Sequence, residues 1–224
     1  MRTIAAQVGI EVASEPCNSN IVVTFAQDAG AVVREIDRRS PRRLSELSPA
    51  ARKALLTGAA PVRWWYTTET RGRHSGSGRA ETAPQAMTNP STHDGSGAGS
   101  ALGSGVPTMM HYENSLISTL TNRALTSASV VIDQDEVMGM RLDAVAGYAA
   151  LIAFAEIRSA DFAPEGSILT LFTASNAPRA LTPQDRAFLR ALYRVPLDRE
   201  ARLQRSLLVG AMVDAAEAET GVEN

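Results

Sequence analysis

From Arg71 to Pro107 the chain is dominated by Gly, Ser, Thr, Ala and Pro, with scarcely a large apolar residue. Such a stretch cannot bury enough surface to offset the entropy lost on ordering it. Any core must therefore be assembled from residues before 71 and after 107, joined across an insertion. Loops of this length are uncommon inside compact domains unless they are functional or unstructured. The expected organisation is a single α+β domain in two halves. Residues 1–70 and 108–216 fold together, 71–107 form a flexible insertion, and the acidic residues 217–224 fray.

The patterns on either side support a small mixed sheet with helices packed on it. Ile4, Ala5 and Val8 read as the tail of an amphipathic helix. Asn20 to Phe25 is a β-branched run bounded by polar residues, the pattern of a buried strand. Asp28 is placed to cap a helix through Val32, Val33 and Ile36, which Pro41 interrupts. Ser48-Pro49 opens another helix, with Ser as cap and Pro at the first helical position, and it ends near Gly58. Pro61 to Thr68 reads as a second strand. After the insertion, Leu116–Leu120 and Ala128–Ile132 read as a strand pair ending at Asp133. Leu142, Val145, Ala149, Ile152, Ala153 and Ile157 recur at helical spacing. Thr182-Pro183 opens a further helix with Phe188, Leu189 and Leu192 as its stripe. Leu203, Leu207, Leu208, Ala211, Met212 and Ala215 define a last amphipathic helix, expected to pack into the core.

Composition bounds the function classes. Apolar residues are 44% of the chain and aromatics 5%, so aliphatic side chains must fill most of the core. A net charge of −2 supplies no field for nucleic acid or an acidic membrane, and no nucleic-acid partner is expected. Cys17 is the single cysteine, which excludes a disulfide within this chain. No apolar run approaches the ~20 residues that cross a bilayer. Met1 to Ala6 lacks the apolar core of a signal peptide. The start reads as abrupt, and a missing upstream segment would hold both a signal peptide and a partner for Cys17.

Candidate chemistry is sparse. Asp133 and Asp135, with Glu136, form an acidic cluster at a strand end. Paired carboxylates there suit general acid–base work or Ca²⁺, but a solvated turn that stops a strand and starts a helix is the favoured reading. Glu156 lies near the end of the 142–158 helix. Trp64-Trp65-Tyr66 gathers aromatics on one strand, whose alternate residues face opposite ways. An exposed Trp64 or Trp65 is a binding anchor; the alternative is that both faces of the sheet are covered. His74, His93 and His111 fall in or beside the insertion, where a metal would also have to order the loop. Gly95 to Gly99 lacks the strand, helix and Lys of a phosphate loop. No Gly-x-Ser-x-Gly elbow occurs. No metal or cofactor is expected.

Two resemblances add to this reading. Ser167-Ile-Leu-Thr-Leu-Phe172 followed by Leu181-Thr-Pro-Gln-Asp to Leu192-Tyr193 resembles the end of a zincin-type metalloprotease domain. There a Ser-Ile-Met turn precedes a helix beginning Leu-(Ser/Thr)-x-x-Asp. The resemblance implies a His-Glu-x-x-His zinc site on the preceding helix, yet Leu142 to Arg158 contains no histidine, and Leu169 stands where the methionine would be. The implied scaffold is degenerate, with an apolar floor in place of a metal. The order of Cys17 to Phe25, Trp65-Tyr66, Val130 to Asp133, Leu142 to Arg158 and Ser167 to Tyr193 is also similar to a group of uncharacterised alphaproteobacterial proteins, many with the look of exported proteins. That likeness implies a periplasmic or secreted location if a signal peptide lies upstream, and a cytoplasmic one otherwise.

The functional expectation is a non-catalytic binding or structural protein, a pseudoenzyme acting through a protein partner or a second copy of itself. The alternative is a peptidase-like hydrolase using Asp133, Asp135, Glu156 or a loop histidine.

Overall fold

The computed structural model describes residues 1–14, 19–72, 121–161, 163–196, 199 and 201–222. Three strands, β1 (Ile21–Ala26), β2 (Val62–Gly72) and β3 (Thr121–Asp133), form one mixed sheet in the order β1-β3-β2. β1 runs parallel to β3, with Val23 opposite Val130, and β2 runs antiparallel to it, with Trp64 opposite Val130. The central strand is thus the last of the three in sequence. Leu116–Leu120, expected to be a strand, lie outside the described residues. β3 also begins earlier than Ala128, because the polar stretch from Thr121 to Ser127 finds its ladder partners on β2. Between Thr67 and Thr68 the register shifts from Ser127 to Leu125, leaving Thr126 as the extra residue of a bulge. Its hydroxyl donates to the Thr67 carbonyl at 2.8 Å.

The α+β fold expected from the sequence is present, with helices on both faces of the sheet. One face carries α2 (Ala29–Arg39), a 3-10 turn at Pro41–Leu44 and α3 (Pro49–Thr57). Local chemistry starts each of these helices. The Asp28 carboxylate accepts from the Ala31 N–H at 2.7 Å, and the Ser48 hydroxyl from the Ala51 N–H at 3.2 Å. Pro41 follows the last turn of α2, where its missing N–H prevents continuation. Ala29, Val33 and Leu44 bury there against Trp65 and Val131 of the sheet. Arg63, on the same strand face as Trp65, is buried and donates to the carbonyls of Leu55 and Gly58. It satisfies groups that the end of α3 would otherwise leave unpaired.

The other face is covered by α4 (Leu142–Ala155), with α1 (Arg2–Gln7) and α5 (Pro183–Leu192) beside it. α4 is apolar all round, and ten of its fourteen residues are buried. That is the pattern of a helix enclosed by its own domain. Its close fit depends on Gly147, where an added Cβ would lie 2.9 Å from the Leu181 nitrogen. α6 (Ala201–Val222) packs along α5 and extends through the residues expected to fray.

Candidate functional site

At the end of α4 the sheet and the helix meet through side-chain hydrogen bonds. The helix stops at Glu156, which adopts a left-handed conformation at φ 50°. This is an uncommon geometry for a residue with a Cβ. The last carbonyls of a helix lack partners within it; here two side chains from elsewhere reach carbonyls of α4, and two reach the Ile157 carbonyl just beyond it. The Tyr66 hydroxyl lies 2.8 Å from the Ile152 carbonyl and 2.9 Å from that of Ile157. The Trp64 indole donates to Ile157, and the Tyr193 hydroxyl donates to Phe154 at 3.0 Å. Burial pushes the Tyr66 phenol well above its ordinary range, and the nearby Glu156 charge adds to the shift. Burial likewise raises Tyr193 and, with the charge of Asp161, pushes Tyr148 up to about 12.

These contacts locate the two tryptophans. Trp65 is 3% exposed, in the cluster beneath α2, and Trp64 is half-buried on the opposite face with its indole N–H bonded to the domain's own backbone. Both faces of the strand are covered, as the alternative reading of that run required.

The acidic candidates do not converge. Asp133 ends β3 on the α2 face, where its carboxylate accepts from the Ala29 N–H at 3.1 Å and adds negative charge to the helix N-terminus. Asp135 and Glu136 sit in the exposed turn that follows. Glu156 lies at the end of α4, beyond the other face of the sheet, and is ion-paired with Arg158 and, at 3.4 Å, with Arg123. Arg123 also meets Glu46 at 3.5 Å, and Glu46 accepts from both the backbone and the hydroxyl of Thr68. Arg123 thereby ties the loop before α3 to the end of α4, a clamp between the two helical layers. A sheet separates Asp133 from Glu156, so they do not form the closely spaced pair that acid–base chemistry on one bond requires. Cys17, His74, His93 and His111 lie outside the described residues. Among the described residues, no group of three or more His, Cys, Asp or Glu side chains is placed to hold a metal ion.

The Ser167 turn meets the most enclosed charged group among the described residues. Asp185, 4% exposed, accepts from the Ser167 hydroxyl at 2.7 Å, the Ile168 N–H at 2.8 Å, and the hydroxyl and N–H of Thr182 at 2.8 and 3.2 Å. The Thr182 hydroxyl in turn accepts from the Asp185 N–H, closing a capping box at the start of α5. Thr182 and Pro183 start the helix as the sequence predicts, and Asp185 completes the capping box in its first turn. Its longer-range role, fastening the turn to the helix, was not visible in the local sequence. Ile168 and Leu169 are buried against α4. Phe172 meets Tyr148 edge to face, with ring centres 4.9 Å apart.

α6 leaves several large apolar side chains in solvent. Ala215 is buried against α5, and Leu208, Ala211 and Met212 are half-buried. Leu203 and Leu207 remain 36% and 39% exposed, and Val209 and Val213 more than half exposed. This corrects the expectation that the whole stripe enters the core. α6 meets one helix rather than a layer, and one neighbour covers only one side of a cylinder. Pro183, Gln184 and Ala187 of α5 with Val209, Met212 and Val213 of α6 line an open, mainly apolar groove of about 510 Å³. None of the described helices is long and apolar enough to cross a membrane.

No family model, no curated protein and no solved structure matches the chain.

Proposed function

We propose that the chain is a non-catalytic binding or structural protein on a degenerate metalloprotease-like scaffold. The observation that carries this reading is α4. A catalytic helix of the zincin type keeps a face of imidazoles and a carboxylate open toward a cleft. α4 instead presents hydrocarbon in nearly every direction, and its ten buried residues are committed to the core. The Ser167–Leu169 turn packs against it through Ile168 and Leu169, and Asp185 is occupied by four donated hydrogen bonds. Binding is supported by the large apolar side chains that α6 leaves in solvent.

The test is a peptidase assay on the purified chain, with and without added zinc, together with elemental analysis. Unfolded casein and a mixed fluorogenic peptide set serve as substrates. The expected result is no turnover and no stoichiometric zinc. Turnover that disappears in Asp133→Asn, Asp135→Asn or Glu156→Gln would establish the hydrolase reading instead.

A further inference from the structure

We infer that the open groove between the 3-10 turn and α3 is a docking site for an acidic segment of a partner protein, held by apolar anchor side chains set among its carboxylates. The inference is independent of whether the domain has an activity. It starts from where the charge lies. The whole chain is nearly balanced at −2, but residues 29–58 hold seven cations and three anions, a local net charge of +4. The three anions are all engaged. Glu35 pairs with Arg38 and Arg39, Asp37 with Arg52 at 2.6 Å, and Glu46 with Arg123 and both donors of Thr68. Arg34 is taken by Asp28, just before the helix. The other three cations, Arg42, Arg43 and Lys53, are exposed and enter no ion pair among the described residues.

Those three cations gather about one recess. Lys53 lines it, and Arg42 and Arg43 lie on the turn that leads into it. Leu44, Leu47, Pro49 and Leu56 give the groove its apolar surface, over a volume of about 390 Å³, and no carboxylate is among the residues that line it. Glu46 belongs to the same loop, but its carboxylate is spent on β2 and Arg123. The groove therefore offers hydrocarbon with unneutralised positive charge beside it.

Shape and charge together say what fits. A free inorganic anion would meet the cations and leave the leucines in water. A bilayer surface is bound by apolar side chains that protrude into it. None of the exposed large apolar residues falls within 29–58, where the apolar surface is recessed. A nucleic acid strand needs aromatic faces for its bases. Residues 29–58 contain no aromatic residue, and Trp65, which packs beneath them, is 3% exposed. A recess receives side chains that protrude from a partner, and the cations beside it receive carboxylates. The occupant is thus a peptide segment in which aliphatic residues alternate with Asp or Glu. Its acidic charge is steered to this layer at long range, and the recess sets its register.

The experiment titrates the full chain into a fluorescein-labelled peptide of leucines alternating with pairs of glutamates, read by fluorescence anisotropy. Saturable binding that weakens as salt rises is expected. Replacing the leucines of the peptide by serine, or its glutamates by glutamine, should each weaken binding at least about tenfold. Arg42→Glu/Arg43→Glu and Lys53→Glu should each do the same, since they place like charge beside the carboxylates. Arg202→Glu/Arg205→Glu makes an equal change of net charge on α6, in the other helical layer, and should leave affinity within about twofold of wild type. Circular dichroism confirms that each variant is folded. No saturable binding at ~1 mM chain, equal affinity for the serine peptide, or binding indifferent to both the Arg42/Arg43 and the Lys53 variants would each overturn the proposal. Phosphatidylglycerol vesicles serve as the other arm. Sedimentation of the chain with vesicles that is lost in Arg42→Glu/Arg43→Glu, without binding of the peptide, would assign the patch to a membrane surface instead.

Discussion

Removing the Asp185 carboxylate should be among the most damaging single changes available to this domain. In Asp185→Ala, four donors lose their acceptor. The hydroxyls of Ser167 and Thr182 can rotate toward other acceptors, and the partly buried Thr182 N–H can reach water. The Ile168 N–H has neither option, because Ile168 is fully buried and its N–H is fixed by the turn. An orphaned buried donor costs about 1–3 kcal/mol, and loss of hydrogen bonds to a charged acceptor adds roughly 1.5–3 kcal/mol. Loss of the N3 half of the capping box contributes up to about 1 kcal/mol more. The sum is about 2.5–7 kcal/mol, a large part of the 5–15 kcal/mol that typically holds a domain folded. Asp185→Asn keeps one acceptor oxygen for the Ile168 and Thr182 groups and turns its amide toward Ser167, so about 1–2 kcal/mol should be lost. The assay is urea unfolding followed by circular dichroism. The diagnostic result is the order wild type, Asn, Ala, with at least about 2 kcal/mol between the ends. An Ala variant within about 1 kcal/mol of wild type would refute the claim that this carboxylate fastens the turn to α5.

Other outcomes follow from separate contacts. Gly147→Ala should lower stability by about 1–2 kcal/mol in the same assay, although alanine is the better helix former, because its Cβ would crowd backbone rather than a yielding side chain. Tyr66→Phe should cost about 1–3 kcal/mol by leaving the Ile152 carbonyl unserved, while Ile157 keeps the Trp64 indole. The raised phenols of Tyr66, Tyr148 and Tyr193 give a stability contribution that is complete below the ordinary tyrosine value of 10.0. It is lost as pH rises from there through the folded-state values, about 12 for Tyr148. Alkaline titration should therefore show the phenolate absorbance of Tyr66 and Tyr148 appearing together with unfolding, and ionisation of these two in the folded chain near pH 10 would contradict the burial of their rings.

Much of the fold was legible because its signals are local. The caps at Asp28, Ser48 and Thr182 are set by residues within three positions of the groups they satisfy. The start of β3 was missed because Thr121–Ser127 has little hydrophobic alternation of its own, and its strand character comes from the β2 ladder. The two faces of α6 were merged into one stripe because periodicity records which residues share a side, not how many neighbours come to cover it. The candidate site was less legible still. Sequence proximity grouped Asp133 with Asp135, while in the fold the partner of Asp133 is Ala29, more than a hundred residues earlier. Arg123, which joins Glu46 to Glu156, had no signal, since an isolated arginine near a strand start resembles any other surface cation.

The order of the strands has a consequence for synthesis. β1 and β2 each pair with β3 and not with one another. A chain emerging from the ribosome therefore carries two unpaired strands until β3 is made. The forty-eight residues from 73 to 120 take roughly 2–10 s to add at ~5–20 residues per second. Through that interval Trp64, Trp65 and the β-branched residues of β1 have no sheet to join. Shortening the segment from 73 to 120 would shorten the wait without touching either helical layer. The yield of soluble protein, rather than its final stability, is the quantity that should respond.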